Sequence, residues 1–139
     1  MGYSHLQLFH QECRGQAEAV ALCASNPERI QRALEAAPDM ALHKKESDLI
    51  QSDLDAVVIS SPNFTHVPLA LEALKAGKHV FLEKPVGITA AECRKLLRAT
   101  QKSDRVLMIG HELRYSAYFT KIKHLIDHGA VGAPHMTWC

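Results

Sequence analysis

The sequence has no long apolar run, no internal repeat and no tract of one residue type, and its charges almost cancel. Over 139 residues the formal net charge is +1, so neither nucleic acid nor an acidic membrane surface is favoured as a partner. No segment reaches the roughly 20 apolar residues that a membrane-spanning helix needs. The first residues also lack the basic and apolar regions of a secretory signal. We therefore expect a cytoplasmic protein of about one domain.

Metal-binding patterns are scarce as well. The cysteines are widely spaced: Cys13, Cys23, Cys93 and Cys139. None of them has the short spacing of a zinc site, which favours free thiols in a reducing compartment. His124 and His128 are four residues apart and would share one helix face, but no third ligand accompanies them. We predict no metal site.

Strand patterns and helix patterns alternate along the chain. Short apolar runs predict strands at 18–25, 40–43, 54–60, 78–83, 105–111 and 134–139. Helical patterns lie between them, and the one at 90–102 has a capping box at Thr89 and Glu92. Its apolar face is predicted to contain Cys93, Leu96, Leu97 and Thr100. Such alternation predicts an α/β fold with a doubly wound, mostly parallel sheet of the Rossmann kind.

The segments that follow the predicted strands are small, polar or turn-forming. They are Ser25–Asn26, Ser60–Asn63, Glu83–Pro85 and Gly110–Glu112. Parallel strands end at one edge of a sheet, and α/β proteins bind ligands at that edge. The segment "GKHVFLEKPVG" (77–87) stands out because its apolar strand ends in an acid, a base and a proline. We therefore expect the functional site along this edge.

Three motifs follow one another in order: "PNFTH" (62–66), "AGKHVFLEKP" (76–85) and "GHELR" (110–114). Together they resemble the Gfo/Idh/MocA family of NAD(P)-dependent oxidoreductases, strongly over residues 54 to 138 and weakly before them. The resemblance implies a dinucleotide-binding domain over residues 1–112. Residues 113–139 would then be the interdomain helix and the start of a C-terminal substrate domain.

By this resemblance Lys84 is the catalytic residue beside the nicotinamide. The chemistry agrees, because hydride transfer from a carbinol requires that the hydroxyl proton be removed, and a lysine amine can accept it. The alternative for Lys84 is a solvent-exposed loop lysine. The resemblance also places the Asp and His partners of this lysine beyond residue 139.

The resemblance further implies a set of residues that contact NADP or NAD. The set is Gly2, Tyr3, Ser4, Ser25, Asn26, Ser61, Pro62, Asn63, His66, Glu83, Pro85 and Arg114. Glu83 would orient Lys84 or contact a ribose, and Pro85 would direct the lysine, with a cis Lys84–Pro85 bond plausible. His66 has the alternative of a surface histidine at a helix start. Arg114 has the alternative of a salt bridge that anchors the interdomain helix.

The start of the chain departs from the dinucleotide-binding pattern. A strand and G-x-G-x-x-G are expected there, but only Gly2 fits, as the second glycine, with His5 in place of the third. We therefore expect that the first, central strand is absent, that the edges of two buried strands are left unpaired, and that most of the second domain is missing. At the ribose position Ser25 and Asn26 replace the usual acid, which slightly favours NADP over NAD.

The leading functional hypothesis is an oxidoreductase, present as a fragment, that transfers a hydride between NAD(P) and a sugar, inositol or related polyol. One alternative is a non-catalytic regulatory protein that binds NAD(P). Another is an inactive truncated gene product. The substrate would be a small molecule, and the full-length form would be a homo-oligomer, because the resemblance implies association through the second domain.

Overall fold

The structure is a computed structural model that describes residues 2–13 and 15–135. The chain divides into two compact units, residues 1–109 and 110–139. The elements of the first unit are α1 (Gly2–Gln11), β1 (Ala21–Cys23), α2 (Pro27–Ala36), β2 (Ala41–His43), α3 (Glu46–Gln51), β3 (Ala56–Ile59), α4 (His66–Lys75), β4 (His79–Leu82), α5 (Ala90–Thr100) and β5 (Leu107–Ile109). The second unit contains a 3₁₀ turn (Glu112–Tyr115) and α6 (Ala117–Asp127).

All paired strands are parallel, as the alternation of strands and helices predicts. β1 pairs with β2, and β4 lies between β3 and β5. Within the described part of the chain these are two separate sheets, of two and three strands. β1 and β3 therefore each have a strand partner on one side only among those residues. The α/β fold of the Rossmann kind is confirmed, and the two edges left unpaired in this part of the chain, at β1 and β3, agree with the expectation that no central strand joins them.

The hydrophobic core is divided in the same way. The larger cluster lies around the three-stranded sheet, where Leu82 and Ala70 are fully buried and Leu96 is nearly so. The smaller cluster joins α1 to α2 and contains Leu6, Ala33, Ala37 and Met40. Branched residues on β3 and β4 suit a sheet covered on both faces. Helix α4 packs against β3 and β4 of this sheet, and α5 packs against α4.

The helix ends follow their capping residues. The Asn26 side chain accepts a hydrogen bond from the Arg29 N–H at 3.0 Å, and Pro27 is the first residue of α2. The predicted capping box at Thr89 and Glu92 is present at the start of α5. These polar side chains supply acceptors for backbone N–H groups that have no partner inside the helix.

Three sequence-based expectations need revision or lie outside the described residues. Leu96 and Leu97 were both expected on the core face of α5. Leu96 is buried, whereas Leu97 is 57% exposed, because the helix turns it away from the core. Helix α1 was not predicted at all. Residues 136–139 of the final predicted strand lie outside the described residues.

Two further findings concern the described residues. None of their helices combines the length and the apolar character that crossing a bilayer requires. Cys13, Cys23 and Cys93 are free thiols, as their spacing predicts.

Replacing Leu82 by Ala should destabilise the first unit strongly. The side chain is fully buried on the central strand of the three-stranded sheet, and large-to-small changes at such sites cost about 2–5 kcal/mol. Leu97→Ala is the matched control, because this leucine is mostly exposed and should cost under about 0.5 kcal/mol. Urea unfolding followed by circular dichroism measures both, and equal losses would contradict the described core.

Candidate functional site

The carboxyl ends of β3 and β4 hold the two buried polar or charged side chains found among the described residues. These are His66, which is 1% exposed, and Glu83, which is 3% exposed. A buried polar group is costly unless it is hydrogen-bonded. Their partners therefore show how this edge of the sheet is built.

Glu83 is held by a helix from the other end of the sequence. His5 Nε2 donates to Glu83 Oε1 at 2.8 Å, and the His5 ring packs edge-on against Phe81 with centroids 5.1 Å apart. The other carboxylate oxygen, Oε2, accepts the Lys84 backbone N–H at 3.1 Å. Both oxygens of Glu83 are thus engaged within the protein, and one of them fixes the backbone of Lys84.

The pairing of His5 with Glu83 was missed by sequence reasoning. The two residues are 78 positions apart, and helix α1, which brings them together, was itself not predicted. No local pattern in the sequence signals this contact.

His66 joins the loop after β3 to the loop after β4. Its Nδ1 lies 2.7 Å from the Pro85 carbonyl oxygen, and its Nε2 lies 3.0 Å from the Ser61 carbonyl oxygen. The ring is buried, so the alternative of a surface histidine is wrong. Because both ring nitrogens contact backbone carbonyls, the ring has no free nitrogen to offer a ligand in this arrangement.

Lys84 follows Glu83 in the sequence and precedes Pro85, whose carbonyl oxygen contacts His66. Its side chain is exposed, and its ammonium group has no hydrogen-bond or ion-pair partner among the described residues. The Lys84–Pro85 peptide bond is cis. The structure therefore presents a fixed backbone and a free amine at the end of β4.

The start of α1 lies against the end of β3. Gly2 is the first residue of the helix, and a Cβ atom at this position would lie 2.8 Å from the Ser60 hydroxyl oxygen. Such close helix–strand packing is the role of the third glycine in G-x-G-x-x-G, whereas the second glycine lets the backbone approach the pyrophosphate. The structure thus favours Gly2 as the third glycine. His5 lies inside α1 and does not occupy a glycine position.

The next two residues of α1 differ in their surroundings. The Tyr3 ring faces α2, with the Arg32 guanidinium carbon 4.4 Å from the ring centroid. Ser4 is exposed. The first four backbone N–H groups of a helix have no partner within it and form a natural anion site, so both residues contribute N–H groups to that end of α1.

The loop after β3 is a tight 3₁₀ turn, Asn63–Thr65. The Thr65 hydroxyl donates to the Pro62 carbonyl at 2.8 Å and also bonds the Ser61 hydroxyl. Pro62 and Asn63 are exposed, while Ser61 is half-buried. The turn leaves the Asn63 side chain free of protein hydrogen bonds among the described residues.

The loop after β1 carries Ser25 and Asn26, both exposed. Asn26 uses its side-chain oxygen to cap α2, which leaves its amide group and the Ser25 hydroxyl for a ligand. Burial raises the pKa of the neighbouring Cys23 thiol, and the carboxylates of Glu46 and Asp48 raise it further. Cys23 therefore remains a neutral thiol near pH 7, which makes it a poor nucleophile.

Arg114 belongs to the second unit. It lies in the 3₁₀ turn before α6 and lines a cleft of about 610 Å³ together with Phe119 and Lys123. Its guanidinium forms no ion pair with the described residues, so the alternative of an anchoring salt bridge finds no partner there. On α6 the His124 and His128 rings stack with centroids 3.9 Å apart. The described residues include no cluster of three metal-ligating side chains.

Comparison with known proteins agrees with this geometry. Residues 1–111 match the Gfo/Idh/MocA oxidoreductase family, described by its NAD-binding Rossmann fold. The chain belongs to this family. Among curated Gfo/Idh/MocA proteins, the inositol 2-dehydrogenase of Salmonella typhimurium is 36% identical over 98% of the chain. The myo-inositol 2-dehydrogenase of Thermotoga maritima is 30% identical over the same share.

Solved structures of the family share the fold. A scyllo-inositol dehydrogenase from Lactobacillus casei, crystallised with NAD(H) and scyllo-inositol, matches 94% of the chain with a TM-score of 0.86 and 27% identity. The chain spans 39% of that structure, and 41% and 42% of the two curated relatives. It therefore corresponds to about two fifths of the length of these proteins.

Removing the His5 imidazole should destabilise the fold through Glu83. His5→Ala leaves a buried carboxylate with one of its two donors, which costs about 1–3 kcal/mol. His43→Ala is the control, because this half-buried histidine at the end of β2 makes no side-chain hydrogen bond in the described residues.

A double-mutant cycle with Glu83→Gln isolates the pair. Once His5 is gone, replacing the buried charge by a neutral amide should cost less than it does in the unmodified protein. Unfolding free energies of the four proteins measure this coupling. Additivity within about 0.5 kcal/mol would contradict a direct interaction.

Proposed function

We propose that the protein is an oxidoreductase that transfers a hydride between NAD(P) and a sugar, inositol or related polyol, with Lys84 as the catalytic residue. The observation that carries the proposal is the exposed Lys84 amine, which has no partner among the described residues, on a backbone held by the buried Glu83 before it and by the contact of the buried His66 with the Pro85 carbonyl after it. The inositol dehydrogenases among its relatives support this substrate class. Because the chain spans about two fifths of the length of these relatives, the activity of the whole protein is a proposal.

The residues present fit a dinucleotide. Gly2 packs α1 so closely on the end of β3 that a Cβ atom would meet the Ser60 hydroxyl oxygen, as the third glycine of a dinucleotide-binding turn does. Ser25 and Asn26 stand at the ribose position of the fold. Asn63 is exposed on the loop after β3. The bound nicotinamide would supply the hydride acceptor or donor.

Lys84 would act as the general base or acid of the same reaction. As a carbinol is oxidised to a ketone, its C–H bond gives up a hydride and its O–H bond gives up a proton. The Lys84 Nζ would accept that proton, and it would return one when the reaction runs in reverse. Glu83 would act through the backbone, because its carboxylate holds the Lys84 N–H.

We further propose a preference for NADP. Ser25 and the Asn26 amide offer hydrogen-bond donors where NAD-specific proteins of this fold place an acid, and Arg29 follows within the first turn of α2. Because neither Ser25 nor Asn26 carries a carboxylate, no negative charge is present at these two residues to repel a 2′-phosphate. A guanidinium and a phosphate make strong charge-assisted hydrogen bonds.

Replacing Lys84 by Met should abolish turnover and preserve binding. The change keeps the length of the side chain but removes the proton acceptor, so kcat/KM on a panel of inositols and sugars should fall by about 10²–10⁴-fold. Lys95→Met, at an exposed position of α5, should leave turnover unchanged. Equal turnover by wild type and Lys84→Met would refute the catalytic role. Cofactor binding without turnover on any substrate would favour the non-catalytic regulatory protein.

Replacing Ser25 by Asp should weaken NADP binding relative to NAD. A carboxylate close to a 2′-phosphate costs at least about 1 kcal/mol even in water, so the ratio of the two affinities should shift roughly fivefold or more. Fluorescence titration with NADPH and NADH measures it. Ser47→Asp adds the same charge at an exposed position of α3 and should leave the ratio unchanged. The preference itself fails if the unmodified protein binds NADH more tightly.

A further inference from the structure

The hydrogen bonds of His66 set a condition on its protons. Both partners of the ring, the carbonyl oxygens of Pro85 and Ser61, can only accept hydrogen bonds. They lie 2.7 and 3.0 Å from the two ring nitrogens. A neutral imidazole has one N–H group, so it would satisfy one carbonyl and direct a nitrogen lone pair at the other.

We propose that His66 carries a proton on both ring nitrogens and is a positioning residue, which ties the loop after β3 to the loop after β4 and so holds Lys84 in place. The two contacts with carbonyl oxygens support the proposed double protonation. The positioning role rests on the function proposed above for Lys84.

A doubly protonated His66 ring needs a source of stabilisation. A buried cation is unfavourable, and His66 is the first residue of α4, where the helix dipole also opposes positive charge. The neighbouring carboxylates do not hydrogen-bond the ring. Glu83 is engaged by His5 and Lys84 N–H, and Glu92 accepts from the backbone N–H groups of Ile88 and Thr89. The two carbonyl dipoles therefore stabilise the charge, and the loops must stay together to keep it.

The consequence for Lys84 follows from its two neighbours in the sequence. Glu83 precedes it and is held by His5 from α1, while Pro85 follows it and is held by His66 from α4. The backbone on both sides of Lys84 is thus tied to a helix. Loss of the His66 contacts would leave only one of these two attachments.

The protonation can be measured on the unmodified full chain. Nuclear magnetic resonance of ¹⁵N-labelled protein, with His66 assigned by triple-resonance experiments, reports each ring nitrogen separately. We expect both Nδ1 and Nε2 to be protonated at neutral pH, with two N–H protons protected from exchange. One deprotonated ring nitrogen at neutral pH would overturn the double-donor arrangement. This measurement requires neither turnover nor a variant.

Kinetics test the positioning role. His66→Phe keeps a ring and loses both hydrogen bonds, and His66→Gln can donate to one carbonyl. We expect kcat to fall about tenfold or more in both, which is the scale of one lost hydrogen bond, with less change in the KM for the cofactor. The matched control is His79→Gln, because His79 lies at the other end of β4 and accepts the Val106 N–H; its kcat should not change.

The outcomes separate this inference from the proposed function. If Lys84→Met is inactive while folded His66 variants keep the kcat of the wild type, the positioning role is wrong and the function of Lys84 stands. If Lys84→Met is fully active, both the function of Lys84 and the positioning role are wrong, and the resonance measurement still decides the protonation. Should both His66 variants fail to fold, hydrogen exchange of the two His66 ring N–H groups in the unmodified protein replaces them. Fast exchange of these protons would overturn the link between the two loops.

Discussion

The burial of Glu83 is the constraint on which the arrangement of the candidate site depends. A carboxylate that is 3% exposed needs donors, and it finds them in a helix at the start of the chain and in the backbone of the next residue. His66 is buried as well, and its ring nitrogens contact the carbonyl oxygens of Ser61 after β3 and Pro85 after β4. The two buried polar side chains thus hydrogen-bond groups in the loops that follow these strands. The backbone of Lys84 is held by Glu83 before it and by the contact of His66 with Pro85 after it, while the Lys84 side chain stays exposed.

Much of the fold could be predicted because its causes are local. The β-branched run before Ser60, the capping box at Thr89 and the proline at the start of α2 each act within a few residues, and the structure confirms them. Helix α1 was not predicted because Gly2, with the residues after it, also fits the glycine-rich turn of a dinucleotide-binding motif. Leu97 was placed wrongly because the apolar pattern of α5 allows both Leu96 and Leu97 on the core face, and only the packing, which buries Leu96 and leaves Leu97 exposed, decides between them.

The candidate site was predicted in part for the same reason. The ends of parallel strands share an edge, so Ser61, Glu83 and Lys84 were expected together, and they lie in the loops that follow the neighbouring strands β3 and β4. The contacts of His5 with Glu83 and of His66 with Pro85 join segments distant in the sequence, and no periodic pattern records them. Membership of the Gfo/Idh/MocA family rests on the match over residues 1–111, whereas the roles proposed for individual residues are argued from their contacts.

The division of the core into two clusters has a consequence for cooperativity. Leu6 fastens α1 to the smaller cluster, while Leu82, next to Glu83, belongs to the larger one. The hydrogen bond between His5 and Glu83 therefore links the two clusters. A fluctuation that detaches α1 would leave the buried Glu83 carboxylate without its His5 donor, so the free energy of local opening at α1 would include the cost of that lost hydrogen bond.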